Sequence, residues 1–389
     1  MERRNFFKAL AAGSFYLSIP TARAATKKDL ANLDMIDTAA EVSSGRVSMF
    51  EINKAAMDRI DALNPHINAL VTKTYDYGVR QIAKNPTGPL AGVPYMLKDL
   101  NSLAGVRTTR GSRLFTSHTS SRQSPYTDNI LSSGVIILGK TNTPEFGLMP
   151  TTEPVANGAT RNPWNLGYSC GGSSGGAAAA VASRMIAAAQ ASDGGGSIRF
   201  PAAACHLFGL KPSRGRFGDQ GYENQLVSLS IKHAISRTVR DSAFMLALTE
   251  NGPGATLPPV GYVEGPTNKK RKFALSMNAG NVSPDYDTRR SVQKVAQRLE
   301  GLGHEVEVVN STPHDSPLFQ DLFAGLWAQG AARLLDVAER VTGVPAAQSG
   351  LLEFATLKMI EFYVDKPIIE DARIKEILGD LENQMETFY

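Results

Sequence analysis

Residues 171–199 read GGSSGGAAAAVASRMIAAAQASDGGGSIR. Two glycine- and serine-rich loops, GGSSGG and DGGGS, bracket an apolar, alanine-rich span that reads as a buried helix and strand. Glycine admits φ > 0 and lets a ligand approach main-chain N–H groups. Consecutive N–H groups can form a concave anion site. Ser173 is the first serine of the first loop, and Ser197 closes the second beside such a site. The combination points to acyl transfer by a serine nucleophile. A flexible linker has a similar composition, but it would not flank AAAAVASRMIAAA. A phosphate-cradling loop would need G-x-x-x-x-G-K-[ST], and no Lys-Ser or Lys-Thr pair follows these glycines.

Outward from this stretch the chain alternates helices and strands. SMFEINKAAMDRIDALN is an amphipathic helix, with apolar positions at Phe50, Ile52, Ala56, Met57 and Ile60. INALVT, VPYMLK and VIILGKT read as strands, and DNILSSG as the helix before the last of them. SRTVRDSAFMLALTENG is a helix, and the Gly- and Pro-rich residues 251–269 form a long surface loop. KFALSM, RRSVQKVAQRLEGLG and HEVEVVN predict a βαβ-like unit, and the pattern from about 316 onward is helical. The alternation implies an α/β fold with a largely parallel, buried sheet. There is no internal repeat.

The 389 residues are 42% hydrophobic and 20% charged, enough for a sizeable core in one large domain or two smaller ones. Most of the formal +4 charge sits in residues 1–24, where Arg3, Arg4, Lys8 and Arg23 outweigh Glu2. The remainder is nearly neutral, with no Lys/Arg-rich run to suggest nucleic acid. MERRNFFK, ALAAGSFYLSIP and Ala22-Arg23-Ala24 have the form of a cleavable export signal that ends before Ala25. Its apolar part is too short to span a bilayer, so no stable membrane anchor is expected. Arg3-Arg4-Asn5-Phe6-Phe7-Lys8 resembles the twin-arginine signal, which predicts a periplasmic or secreted protein. Cys170 and Cys205 alone make no disulfide framework and are expected as free thiols, a bridge between them remaining possible. No His/Cys cluster has metal-ligand spacing.

A serine nucleophile needs a base. None of the six histidines sits in a recognisable triad motif, and there is no G-x-S-x-G elbow. Lys98 ends the apolar run VPYMLK, where desolvation would lower its pKa and make a neutral base. A lysine at a strand end is otherwise a solvated charge, and on the residues alone both readings stand.

The blocks GVPYMLKDL, GKTNTPEFG, TTEPVANGATRNPWN, GGSSGG, DGGGSIRFPAAAC and GLKPSRGR, in this order and spacing, resemble the amidase signature family. The resemblance is dense from about 35 to 245 and looser to 389. It implies a mixed, largely parallel central sheet flanked by helices on both faces, and a Ser–cis-Ser–Lys triad. The lysine falls on Lys98, the bridging serine on Ser173 after a cis Gly172–Ser173 peptide, and the nucleophile on Ser197. The backbone N–H groups of Gly194, Gly195, Gly196 and Ser197 would face the oxyanion. Ser174 would join the triad's hydrogen bonds or cap the following helix, Asp193 and Arg199 would pair to lock the loop, and Thr151 and Thr152 would line the pocket. The implied reaction is hydrolysis of a small amide without metal or organic cofactor.

Two departures stand out. The family's GTDxGGS reads Ala191-Ser192-Asp193-Gly194-Gly195-Gly196-Ser197, which keeps the hydroxyl and every N–H. Family members also continue past the final helix, so residues 25–389 are expected to form an amidase-signature domain lacking the usual C-terminal segment. That leaves an alternative: a truncated or inactive member that binds amide-like ligands without turnover. A glutamine-hydrolysing amidotransferase subunit is a third reading, and the export signal argues against it.

Overall fold

The computed structural model describes residues 30–217, 229–252, 254–277, 282–310, 312–315, 317–364 and 370–388. The expected export signal, residues 1–24, lies outside them. In chain order the elements begin with α1 (Met35–Ser43), α2 (Met49–Ile67), β1 (Leu70–Lys73), α3 (Tyr75–Ala83), β2 (Pro94–Lys98), α4 (Pro125–Ser132) and β3 (Ile136–Thr141). The hairpin β4 (Arg161–Asn162) and β5 (Asn165–Ser169) follows, then α5 (Gly175–Ala182), β6 (Ala188–Asp193), α6 (Arg199–Ala204), β7 (Phe208–Gly209), β8 (Ile231–Ser236) and α7 (Val239–Thr249). The remainder is β9 (Lys272–Ser276), α8 (Tyr286–Gly301), β10 (Glu305–Val309) and three long helices, α9 (Pro317–Thr342), α10 (Phe354–Val364) and α11 (Asp371–Phe388).

Local chemistry explains the boundaries. Ser48 and Glu51 close a reciprocal capping box at the start of α2, with Glu51 N–H donating to Ser48 Oγ at 3.1 Å and Ser48 N–H to Glu51 Oε2 at 2.9 Å. Asn68, at φ 57°, ends it in the left-handed conformation that asparagine tolerates. The expected helix and strand between the two Gly/Ser loops appear as α5 and β6, and α5 is buried from Gly175 to Val181. Its alanines let the helix lie close to the sheet. Gly176 carries that approach furthest, since a Cβ there would lie 2.3 Å from the Asn142 amide nitrogen.

Alternation along β2 and β3 sorts their side chains to two cores. Met96, Ile136 and Leu138 join Ala56 and Ile60 of α2 and Ala177–Val181 of α5. Tyr95, Leu97 and Ile137 join Met35 of α1, Tyr126 and Ile130 of α4, and Phe244 and Met245 of α7. Helices therefore cover both faces, as an α/β layer architecture requires. The strands are mixed in direction. β2 pairs with β3 in parallel, and β9 with β10. β1–β3, β4–β5, β6–β8 and β7–β8 are antiparallel, so among the described residues the parallel share is smaller than expected. The chain reaches β8 through β7 and returns beside β6 in the opposite sense.

The β9–α8–β10 unit forms with the expected parallel register. The long helices pack on one another, Leu322 of α9 meeting Ile374, Ile377 and Leu381 of α11. Ala338 of α9 reaches Leu114 and Phe115 of the core.

Candidate active site

Lys98 is the last residue of β2, at the carboxyl end of a strand paired in parallel with β3. Ligand sites in α/β sheets form at such ends. The Lys98 N–H donates to Gln190 Oε1 at 2.9 Å, so a side chain of β6 fixes the backbone that carries the amine. The side chain is fully buried. Its Nζ lies 2.7 Å from Ser173 Oγ and 3.2 Å from Ser192 Oγ. Burial pushes the Lys98 amine down to about 7, and the more distant Asp193 carboxylate opposes that shift. No carboxylate pairs with Lys98 among the described residues. The neighbouring Asp99 is engaged elsewhere: its Oδ1 by Lys140 Nζ at 3.2 Å, its Oδ2 by the Thr109 N–H at 3.0 Å. Lys98 is thus a desolvated amine, not the solvated charge of the second sequence reading.

The Gly172–Ser173 peptide is cis, as the resemblance implied. Gly147, at φ 73°, gives Ser173 its room, because a Cβ there would stand 3.2 Å from Ser173 Oγ and 2.7 Å from Leu100 Cδ1. Ser173 and Ser197 are both buried. Their loops are joined through the backbone, with Ser174 N–H donating to Ser197 O at 3.3 Å. Among the described residues no hydrogen bond links Ser173 Oγ to Ser197 Oγ. Catalytic contacts of this kind are often open before substrate binds and tighten in the complex.

Ser174 stands at the N-cap position of α5 but makes no side-chain cap. Its Oγ donates to Ser192 O at 3.1 Å and accepts from Ser192 N–H at 3.3 Å, binding the two loops together. Asp193 and Arg199 form the expected pair in bidentate form, at 2.9 and 3.0 Å. Asp193 also accepts from the N–H groups of Gly196 at 2.7 Å and Ile198 at 3.2 Å. Burial alone would raise this carboxyl, but the Arg199 guanidinium and these N–H groups hold it below the usual range.

Two expectations are corrected here. The Gly196 N–H is spent on Asp193, and one N–H gives one strong bond, so it is not free for an oxyanion. The N–H groups of Gly194, Gly195 and Ser197 have no acceptor among the described residues and remain available. Thr152 does not line a pocket. It is fully buried, donates from Oγ1 to Gly171 O at 2.9 Å and accepts from Gly175 N–H at 3.2 Å, which clamps the GGSSGG loop. Thr151 is half-buried, with its carbonyl backed against Gly172.

Gln190, which holds the Lys98 backbone, and the buried Lys140–Asp99 pair beside it are features that the sequence reading does not single out. A polar residue inside the otherwise apolar strand AAQA, and a lysine inside VIILGK, were the available signals. Cys170 and Cys205 are free and buried. Burial raises both thiols, Cys205 to about 12.

This constellation defines a member of the amidase signature family, and the chain belongs to it: the family model described as Amidase matches residues 51–368. Among curated proteins, the chain is 37% identical over 303 residues to the putative amidase AmiC of Mycobacterium tuberculosis, covering 77% of this chain and 64% of that protein. It is 34% identical over 330 residues to an acylamidase of Rhodococcus erythropolis, covering 81% and 69%. Among solved structures it resembles 6-aminohexanoate cyclic dimer hydrolase complexed with substrate, with a TM-score of 0.83 at 29% identity over 92% of this chain and 77% of that one. The chain thus spans somewhat under two thirds of the length of the mycobacterial relative.

Proposed function

We propose that the chain is an exported hydrolase of carboxylic amides working through a Ser197 acyl-enzyme. The observation that carries the reading is the Lys98 amine, buried, brought down to about 7 and 2.7 Å from Ser173 Oγ. A neutral amine there accepts the Ser173 proton, and Ser173 takes that of Ser197. Ser197 Oγ attacks the amide carbonyl carbon. The N–H groups of Gly194, Gly195 and Ser197 receive the oxyanion, each such donor being worth about 2.7–4 kcal/mol. The C–N bond breaks as the proton returns along Ser173 to the leaving amine, and water then hydrolyses the ester. The names of the relatives, amidase, acylamidase and cyclic dimer hydrolase, support amides as the substrate class. The export half of the reading rests on the twin-arginine pattern at Arg3 and Arg4.

A fluorophosphonate is expected to label Ser197 covalently, and Ser197→Ala to abolish labelling. Full labelling of that variant would sink the assignment. A panel of small amides, cyclic dimers of amino acids and C-terminally amidated peptides, assayed on purified protein, reads out the turnover itself. Labelling without turnover of any of them would favour an amide-binding protein instead.

A further inference from the structure

We infer that Phe323 and Trp327 of α9 form the wall against which the substrate's acyl group lies, so that the site takes amides of apolar carboxylic acids, aromatic or aliphatic, in preference to charged ones. The inference rests on the reading of Ser197 as the nucleophile. Phe319, Phe323 and Trp327 recur every four residues and so share one face of the helix. Their rings stack in a ladder, with centroids 6.5 Å apart at 24° for Phe319–Phe323 and 5.6 Å at 27° for Phe323–Trp327. All three are half-buried. The ladder ends on the nucleophile loop. A Cβ added to Gly195 would stand 2.9 Å from Phe323 Cζ, and one added to Gly194 would stand 3.2 Å from Trp327 Cζ3.

These are two of the residues whose N–H groups remain unused. An oxyanion held at about 2.7–3.1 Å from those nitrogens puts the acyl carbon within a few ångströms of the same rings. The group attached to that carbon therefore extends beside aromatic faces, where apolar area gains from leaving water and a charge loses its hydration. A side chain at position 194 or 195 would press on these rings and make them shift.

The chain has two tryptophans, Trp164 and Trp327, and Trp164 is exposed, with its indole N–H donating to Cys205 O at 2.8 Å. Trp164→Phe leaves Trp327 as the sole indole reporter. In that protein, 4-nitrobenzamide is expected to quench the fluorescence saturably, and to do so equally when Ser197→Ala is added. Succinamate, a charged amide, is expected to compete at least tenfold more weakly. In turnover, Trp327→Ala and Phe323→Ala are each expected to lower the hexanoyl-to-acetyl anilide ratio of kcat/KM about tenfold, through KM. Absence of saturable quenching, or an unchanged ratio in both variants, overturns the wall. Retained fluorophosphonate labelling of Ser197→Ala overturns the nucleophile instead, so the two readings fail separately.

Discussion

Lys140 Nζ lies 3.2 Å from Asp99 Oδ1, and both side chains are fully buried. The pair sits one residue beyond Lys98. Lys140 and the Thr109 N–H engage Asp99, while burial is what lowers the Lys98 amine. Two buried lysines of adjacent strands thus have different surroundings: Lys140 meets a carboxylate, and Lys98 meets the hydroxyls of Ser173 and Ser192.

The first expectation concerns this pair. Lys140→Met leaves the Asp99 carboxylate buried without its cation, held only by the Thr109 N–H and hydroxyl, at a cost of about 3–5 kcal/mol. Denaturant unfolding should show that loss, and Asp99→Asn on the same background should recover a substantial part. A Lys140→Met protein as stable as the parent would mean that water reaches Asp99.

With Lys98 as the proposed base, its ionisation is expected to set the pH dependence. Its folded pKa is depressed from 10.5 to about 7 by burial, so the neutral base grows as pH rises through 7. The expected kcat/KM profile climbs with a single ionisation near that value and then levels. The sign for stability follows from the same shift. Between about 7 and 10.5 the unfolded chain binds a proton that the folded chain does not, so this contribution grows with pH over that window and is lost as pH falls through 7. A profile flat from pH 6 to 9 would remove Lys98 from the base role.

Arg199 holds the nucleophile loop through a two-pronged contact that lysine cannot copy. Arg199→Lys is expected to slow fluorophosphonate labelling of Ser197 by about 10²-fold, the scale of a small misplacement of a reacting group. Thermal melting should change little, since the Arg199 side chain is half exposed. An unchanged labelling rate would show that Gly196 and Ile198 alone fix Asp193.

Gly176 tests the seating of α5. Gly176→Ala places a methyl 2.3 Å from backbone that cannot rotate away. Overpacking of this kind costs about 1–3 kcal/mol, to be read as a drop in melting temperature. Equal melting would mean that the helix can lift from the sheet.

For export, Arg3→Lys with Arg4→Lys is expected to trap unprocessed chain in the cytoplasm of a host with twin-arginine transport, and the mature N-terminus of the parent to be Ala25. Normal processing of the double variant would point to a general secretory signal.

Much of this was legible in the sequence. The boundaries of α2, β2, β3 and α7 follow from apolar periodicity and capping, which are local properties. β8 was missed because Lys232 and His233 break its apolar run, and only its place beside β6 makes IKHAIS a strand. Lys98, Ser173 and Ser197 were located by ordered motifs. The fate of the Gly196 N–H and the part played by Thr152 were not, because they depend on which atoms turn toward one another across loops distant in sequence. Phe323 and Trp327 lay in a stretch read only as helical, since nothing local says what a helix face will cover.

Cys170 and Cys205 are enclosed, and burial raises both thiols, which favours their protonated form. Maleimides and iodoacetamide react with accessible thiolates, so the native chain is silent toward them. A single cysteine introduced on the surface would consequently be the unique point of conjugation. A fluorophore, a spin label or a solid support could be attached there without protecting chemistry and without disturbing the loops that hold Ser173 and Ser197.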